Sequence, residues 1–190
     1  MLLFVALLIG VLPIAGCGLQ TDQANKDLAR ATEHQAAAEE ILARLKAFPG
    51  DWQAIFGASG VTQAEIDRAR ALVAARDKDL DAFDQALKDY AADLSLIKKL
   101  NVDSKIKEYV GLKLAAIKLW QEYSTMYLRP LVKAYGGMVE IIANGRPPSE
   151  QAAKAQEITG IVGESVQKLE ECRNAEKVAE DYFKDNKLGK

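Results

Sequence analysis

The sequence predicts an all-α fold: an elongated antiparallel up-down four-helix bundle with coiled-coil-like seams and a third helix kinked near Pro130. Three observations predict it. Apolar side chains recur at alternating spacings of three and four in separate stretches, the pattern of helices that each bury one stripe against a neighbour. Short segments rich in Gly, Pro and Asn divide those stretches, and no alternating run of β-branched and aromatic residues marks a strand. The 190 residues carry 25 Lys and Arg against 27 Asp and Glu, a formal net charge of -2. Such a balance suits solvated outer helix faces and leaves no basic footprint for nucleic acid.

The first helix is expected to start near Thr21 or Asp22 and to stop before Pro49 and Gly50, with Leu28, Ala31, Gln35, Ala38, Leu42 and Leu45 on its seam. Residues 49–60 then form a connection, with a short helical turn at Asp51. Its Trp52, Ile55 and Phe56 have two readings. They plug one end of the bundle, because large apolar groups on a connection fold back onto the core, or they form a partner-contact tip.

The second helix begins after Thr62, where Thr62 with Glu65 makes a capping box and Val61 with Ile66 a hydrophobic staple. Its seam runs through Ile66, Ala69, Val73, Arg76, Leu80, Phe83, Leu87, Tyr90, Leu94 and Ile97. A helix over 63–99 is roughly 55 Å long at 1.5 Å per residue, so the domain should be rod-shaped. Arg76 here and Gln35 in the first helix set polar groups in apolar seams, for register or for a ligand.

Residues 103–144 carry apolar side chains on more than one face: Ile106, Val110, Ile117, Trp120, Tyr127 and Leu131, with Tyr109, Leu112, Leu119 and Tyr123 beside them. This should be the most buried helix. Pro130 removes a backbone donor, at about 3 kcal/mol in a regular helix interior, and Gly136 and Gly137 follow. A kink or break is expected between Leu128 and Gly137, and a break would raise the count to five helices. The last helix follows Pro147, Pro148 and Ser149, with Ala155, Ile158, Val162, Ser165, Leu169, Cys172, Glu176, Ala179 and Phe183 on its seam.

Few residues point to chemistry. His34 is the single histidine, which removes multi-histidine metal sites, and the position three before it is Ala31 rather than the Glu of a di-iron Glu-x-x-His pair. Asp77, Asp79 and Asp81 begin like a calcium loop, but Ala82 stands at the required Gly and Lys88 at the closing Glu. No phosphate loop, no Gly-x-Ser-x-Gly elbow and no haem-attachment motif is present. Trp120, Tyr123 and Tyr127 follow helical spacing, as aromatic core or as the lining of a ligand pocket. Cys172 is expected to be a buried small apolar residue, with an intermolecular disulfide as the alternative.

The N-terminus carries the strongest motif. Residues 1–16 lack ionisable side chains, an apolar run from Leu2 to Leu12 meets Pro13, and Ile14, Ala15, Gly16 and Cys17 follow. This run resembles a bacterial lipoprotein signal peptide, although Met1, Leu2 and Leu3 lack the usual basic residue. The resemblance implies cleavage between Gly16 and Cys17, a diacylglycerol on the Cys17 sulfur and an N-acyl chain on its amino group. Covalent lipid is the only cofactor expected. The resulting division is a signal peptide at 1–16, lipidated cysteine and linker at 17–21, and the helical domain at 22–190. An uncleaved transmembrane anchor with Cys17 free is the alternative.

In the family, Asp after the cysteine favours inner-membrane retention; here Gly18 points to the outer membrane, facing the periplasm, if the host is Gram-negative. Two or more acyl chains make such an anchor effectively permanent. The expected function is therefore that of a lipid-anchored, non-enzymatic cell-envelope protein presenting its bundle to a protein partner or envelope component. The alternatives are a binder of small apolar or aromatic ligands near the third-helix kink, and an envelope enzyme using carboxylates. Seams that pair between chains would also permit a homo-oligomer.

Overall fold

The computed structural model describes residues 20–56 and 61–188; Gly16, Cys17 and the expected signal peptide lie outside them. The described residues form four long helical segments and no strand. These are α1 (Thr21–Ile55), α2 (Gln63–Lys99), α3 (Ser104–Tyr123) running through a π turn (Ser124–Leu128) into α4 (Arg129–Ala143), and α5 (Pro148–Asp185).

The start of α2 follows from its sequence. The Thr62 hydroxyl accepts the Glu65 N–H at 3.3 Å, and the Glu65 carboxylate accepts the Thr62 N–H at 2.8 Å. The staple does not close in the same way, because Val61 remains 51% exposed. Ile66, Ala69, Leu80, Phe83, Leu87, Tyr90, Leu94 and Ile97 are buried, as their heptad spacing requires.

α1 runs six residues beyond Pro49, whereas the sequence pattern ended it before that proline. Packing offsets the lost backbone bond. Phe48 and Trp52 stack on Tyr135 of α4 with ring centroids 4.6 and 4.8 Å away. Asp51, on the same turns, receives the Arg76 guanidinium at 2.8 Å.

The segment 104–143 holds more buried residues than any other. Its irregularity falls just before Pro130: the Arg129 N–H reaches back to the Ser124 carbonyl, the longer reach of a π turn. Pro130 then occupies the first turn of α4, where a missing N–H costs least. Further on, Gly136 lets α4 approach α2; a Cβ there would meet Val73 Cγ1 at 3.4 Å.

α1 packs on α2, α2 on α3 and α4, and α5 on both of the latter. Between α1 and α2 the pairs are Arg30 with Asp93, Arg44 with Asp79 and Asp51 with Arg76. Between α3 and α5, Glu108 meets Tyr182, Trp120 meets Glu176 and Glu122 meets Lys168. In both sets positions rise on one helix as they fall on the other. α5 is the least embedded helix: only Cys172 and Ala179 are buried, and Val162 of the expected seam is 39% exposed.

Candidate functional site

Of the three apolar residues of the expected connection, Trp52 and Ile55 lie in the last turns of α1 and Phe56 is its C-cap. Trp52, Ile55 and Phe56 are half-buried and pack against a small separate core of Ile66, Ala69 and Val139. Trp52 and Phe56 lie 5.1 Å apart, centroid to centroid. They cover the end of the bundle and leave part of each side chain open to solvent.

Trp120 and Tyr123 are each 5% exposed and sit in the main core, while Tyr127 is half-buried. Trp120 meets Tyr123 edge-on at 5.7 Å, and Tyr123 meets Tyr127 at 5.9 Å. A cavity of about 580 Å³ lies elsewhere, between α2 and α4 beyond the π turn. Val73, Val132 and Val139 supply apolar walls, with Arg70, Arg129 and Glu140 at the rim. Arg70, Arg129 and Glu140 are already paired, whereas Asp77 and Lys133, which also line the cavity, enter no ion pair among the described residues. Arg70 holds Glu140 through two bonds of 2.9 Å, and Arg129 holds Asp81 at 2.8 Å and Asp84 at 2.6 Å.

A polar layer draws residues from α1, α2, α3 and α5. The Tyr90 hydroxyl of α2 donates to Gln35 Oε1 of α1 at 2.9 Å, and the Trp120 indole of α3 donates to Glu176 Oε1 of α5 at 2.8 Å. Lys113, only 2% exposed, adds a positive charge from α3. Burial pushes the Glu176 carboxyl above its usual range, while Lys113 and the Trp120 bond pull it back in part. Burial also raises Tyr90 well above its usual value and takes Tyr109 up to about 12. Lys46 of α1 stands 5.7 Å from the Trp120 ring centroid, and desolvation lowers its pKa, with Arg173 adding to the effect.

Such a layer costs little when the chain is in register and a great deal when a seam slips, because slippage strands a charge among aliphatic groups. Gln35 and Glu176 were visible in the sequence as polar seam positions; Lys113 was missed. The signal existed, since Ile106, Val110, Lys113, Ile117 and Trp120 step by four, three, four and three.

Arg76 bridges Asp51 at 2.8 Å and Asp79 at 2.6 Å, which ties α1 to α2 beside the α1 terminus. His34 is partly exposed, 3.5 Å from Asp93. Cys172 is fully buried and free, and burial pushes its thiol up to about 12. Among the described residues no group of three or more His, Cys, Asp or Glu is placed to hold a metal, and no helix is long and apolar enough to cross a membrane.

No family model, curated protein or solved structure matches the chain.

Proposed function

We propose that this chain is a lipid-anchored, non-enzymatic protein of the bacterial cell envelope, which holds a helical bundle on a membrane and offers its far end to a protein partner. Cys17 carries the lipid and residues 18–20 are the link to the bundle. The four segments run up-down and antiparallel, bent at the π turn. The opposite order of pairing between α1 and α2 and between α3 and α5 supports this arrangement.

One observation carries the reading. α1 starts at Thr21, four residues after Cys17, and ends at Ile55 among the half-buried Trp52, Ile55 and Phe56. A helix of 35 residues spans about 50 Å. Lipid and aromatic tip thus stand at opposite ends of one helix. Confinement to a membrane raises the local concentration of any partner on or near that surface, and a stiff bundle fixes the height of contact. In a Gram-negative host the outer membrane, facing the periplasm, is the proposed address.

The test is crosslinking of the full-length protein in its own cells, beside a Cys17→Ser form, with captured partners identified by mass spectrometry. A discrete envelope protein captured by the wild type, and lost when Cys17 or Trp52 is changed, supports the reading. Capture of the same partner by both Cys17 forms contradicts tethering.

A second reading is favoured by the cavity between α2 and α4, which opens next to the third-helix irregularity. In that reading the bundle carries a small amphipathic ligand between Val73, Val132 and Val139. Native mass spectrometry of protein extracted from its own membrane distinguishes the two by an added ligand mass.

A further inference from the structure

The bundle end where α1 starts is assembled from three places in the chain. The Asn101 N–H donates to Gln20 Oε1 at 2.5 Å, which joins the α2–α3 turn to the start of α1. The Tyr182 hydroxyl donates to Glu108 at 2.8 Å, and Tyr109 packs on Phe183 with centroids 5.0 Å apart, which brings in the end of α5. Segments 20–22, 98–109 and 181–188, which make these contacts, contain six lysines, Lys98, Lys99, Lys105, Lys107, Lys184 and Lys187, against five carboxylates, Asp22, Asp103, Glu108, Asp181 and Asp185. None of the six enters an ion pair among the described residues. All are exposed except Lys107, which is half-buried.

Helix physics accounts for only half of them. Lys98, Lys99 and Lys184 lie in the last turns of α2 and α5, where the helix dipole favours cations. Lys105 and Lys107 lie in the first turn of α3, where it disfavours them. α1, α2 and α5 each place a carboxylate in their first turn, while α3 places its carboxylate at the cap, where Asp103 accepts the Lys105 N–H at 2.8 Å. Lys187 has φ 52°, a left-handed position that favours glycine. Three lysines therefore stand where neither a helix C-terminus nor the backbone conformation favours them, all at one end.

We propose that this end is a basic collar that docks on the anionic headgroups of the phospholipid surface holding Cys17, so that the bundle stands upright rather than swinging from its lipid. The inference rests on the proposed lipid anchor. Gln20 is three residues after Cys17, a reach of at most about 11 Å, so anchored lipid brings the collar within the surface potential. A lipid chain paired with a basic patch is an established way to strengthen and orient membrane attachment.

The test uses the full-length lipidated protein in vesicles of phosphatidylcholine alone, or with about one third phosphatidylglycerol. A neutral acylating reagent is applied, and modification is read lysine by lysine by mass spectrometry. Lys78 and Lys133 are internal controls; both are exposed, and Lys133 is about 40 Å along the helix from Lys107. The collar predicts that Lys98, Lys99, Lys105, Lys107, Lys184 and Lys187 react about fivefold more slowly, relative to the controls, only on the anionic vesicles. Salt at about 0.5 M, which shortens screening to about 4 Å, should abolish the difference.

Equal labelling on both vesicles, with the protein still pelleting and carrying lipid on Cys17, overturns the collar and leaves the anchor standing. Equal protection on both shows mere proximity and also overturns charge recognition. Protein that stays in the supernatant with unmodified Cys17 removes the anchor, and the collar with it.

Discussion

At the end of α4 the chain turns through Asn144 and Gly145, and at the end of α5 through Asn186 and Lys187, with the same pair of backbone bonds. Gly145 N–H reaches Ile142 O and Arg146 N–H reaches Ile141 O; Lys187 N–H reaches Lys184 O and Leu188 N–H reaches Phe183 O. Both central residues have positive φ, 59° and 52°. At the aromatic end that position is the glycine the geometry favours, and at the end where α1 starts it is a lysine. The comparison extends to the whole of each end. Residues 52–56, 61–65 and 141–150 contain no lysine. Of the arginines near that end, Arg76 pairs with Asp51 and Asp79, Arg70 with Glu140 and Arg146 with Glu150, while Arg68 donates only to the Ala64 carbonyl at 3.4 Å. One end closes on aromatic side chains; at the other, six lysines enter no ion pair among the described residues.

The largest effect expected from disturbing this contrast is at the aromatic end. Phe48 is 1% exposed and stacks on Tyr135. Phe48→Ala should destabilise by about 3–5 kcal/mol in denaturant unfolding. It should also free the α1 turns beyond Pro49, which exchange their amides first. Loss of the α2 cap is smaller: Thr62→Ala should cost about 1 kcal/mol by the same measurement.

At the other end the sign reverses. Lys187→Gly should raise stability by up to about 1 kcal/mol. Lys105→Glu should raise it by no more than a few tenths of a kcal/mol, since a carboxylate suits the start of α3 but Asp103 already caps it. Both substitutions should weaken protection of the remaining collar lysines on anionic vesicles. A loss of stability from either would mean that these lysines make structural contributions the comparison denies.

The smallest effect belongs to the polar layer, which lies between the ends. Burial raises the folded pKa of Glu176, so its contribution is fully present below the ordinary carboxylate range and is lost as pH rises through the folded value. Glu176→Gln does not titrate. Its stability relative to the wild type should therefore improve as pH rises from about 4 to about 7. A relative stability that is flat or falls over that range would indicate that Lys113 outweighs burial at this carboxyl.

The sequence disclosed the fold class and α2 most fully, because the Thr62 cap and the heptad of 63–99 are local signals that tertiary packing also favours. Pro49 misled because a proline followed by glycine ends a helix on local grounds, while the contacts that carry α1 past it come from Tyr135, far along the chain. Around Pro130 a disturbance was expected at 128–137. The π turn instead falls at Ser124–Leu128, since the chain adjusts the turn preceding a proline rather than the residues after it. Trp52, Ile55 and Phe56 were found from composition, but their place on α1 was not. Lys113 was overlooked because a lysine in a seam reads as a gap until its neighbours are known. The collar was invisible for a different reason: its lysines come from three separated segments, and only the folded chain assembles them.

The central claim is that lipid and aromatic tip stand at opposite ends of an upright bundle. It is tested most directly by energy transfer from a dye on a single introduced cysteine to acceptor lipids at the surface of vesicles carrying the full-length lipidated protein. Cys172 is fully buried, with its thiol pushed up to about 12, so a dye at Ile55→Cys or Asn101→Cys labels one site. The account predicts about 50 Å from the surface at position 55 and less than about 15 Å at position 101. Equal distances at the two positions would contradict it.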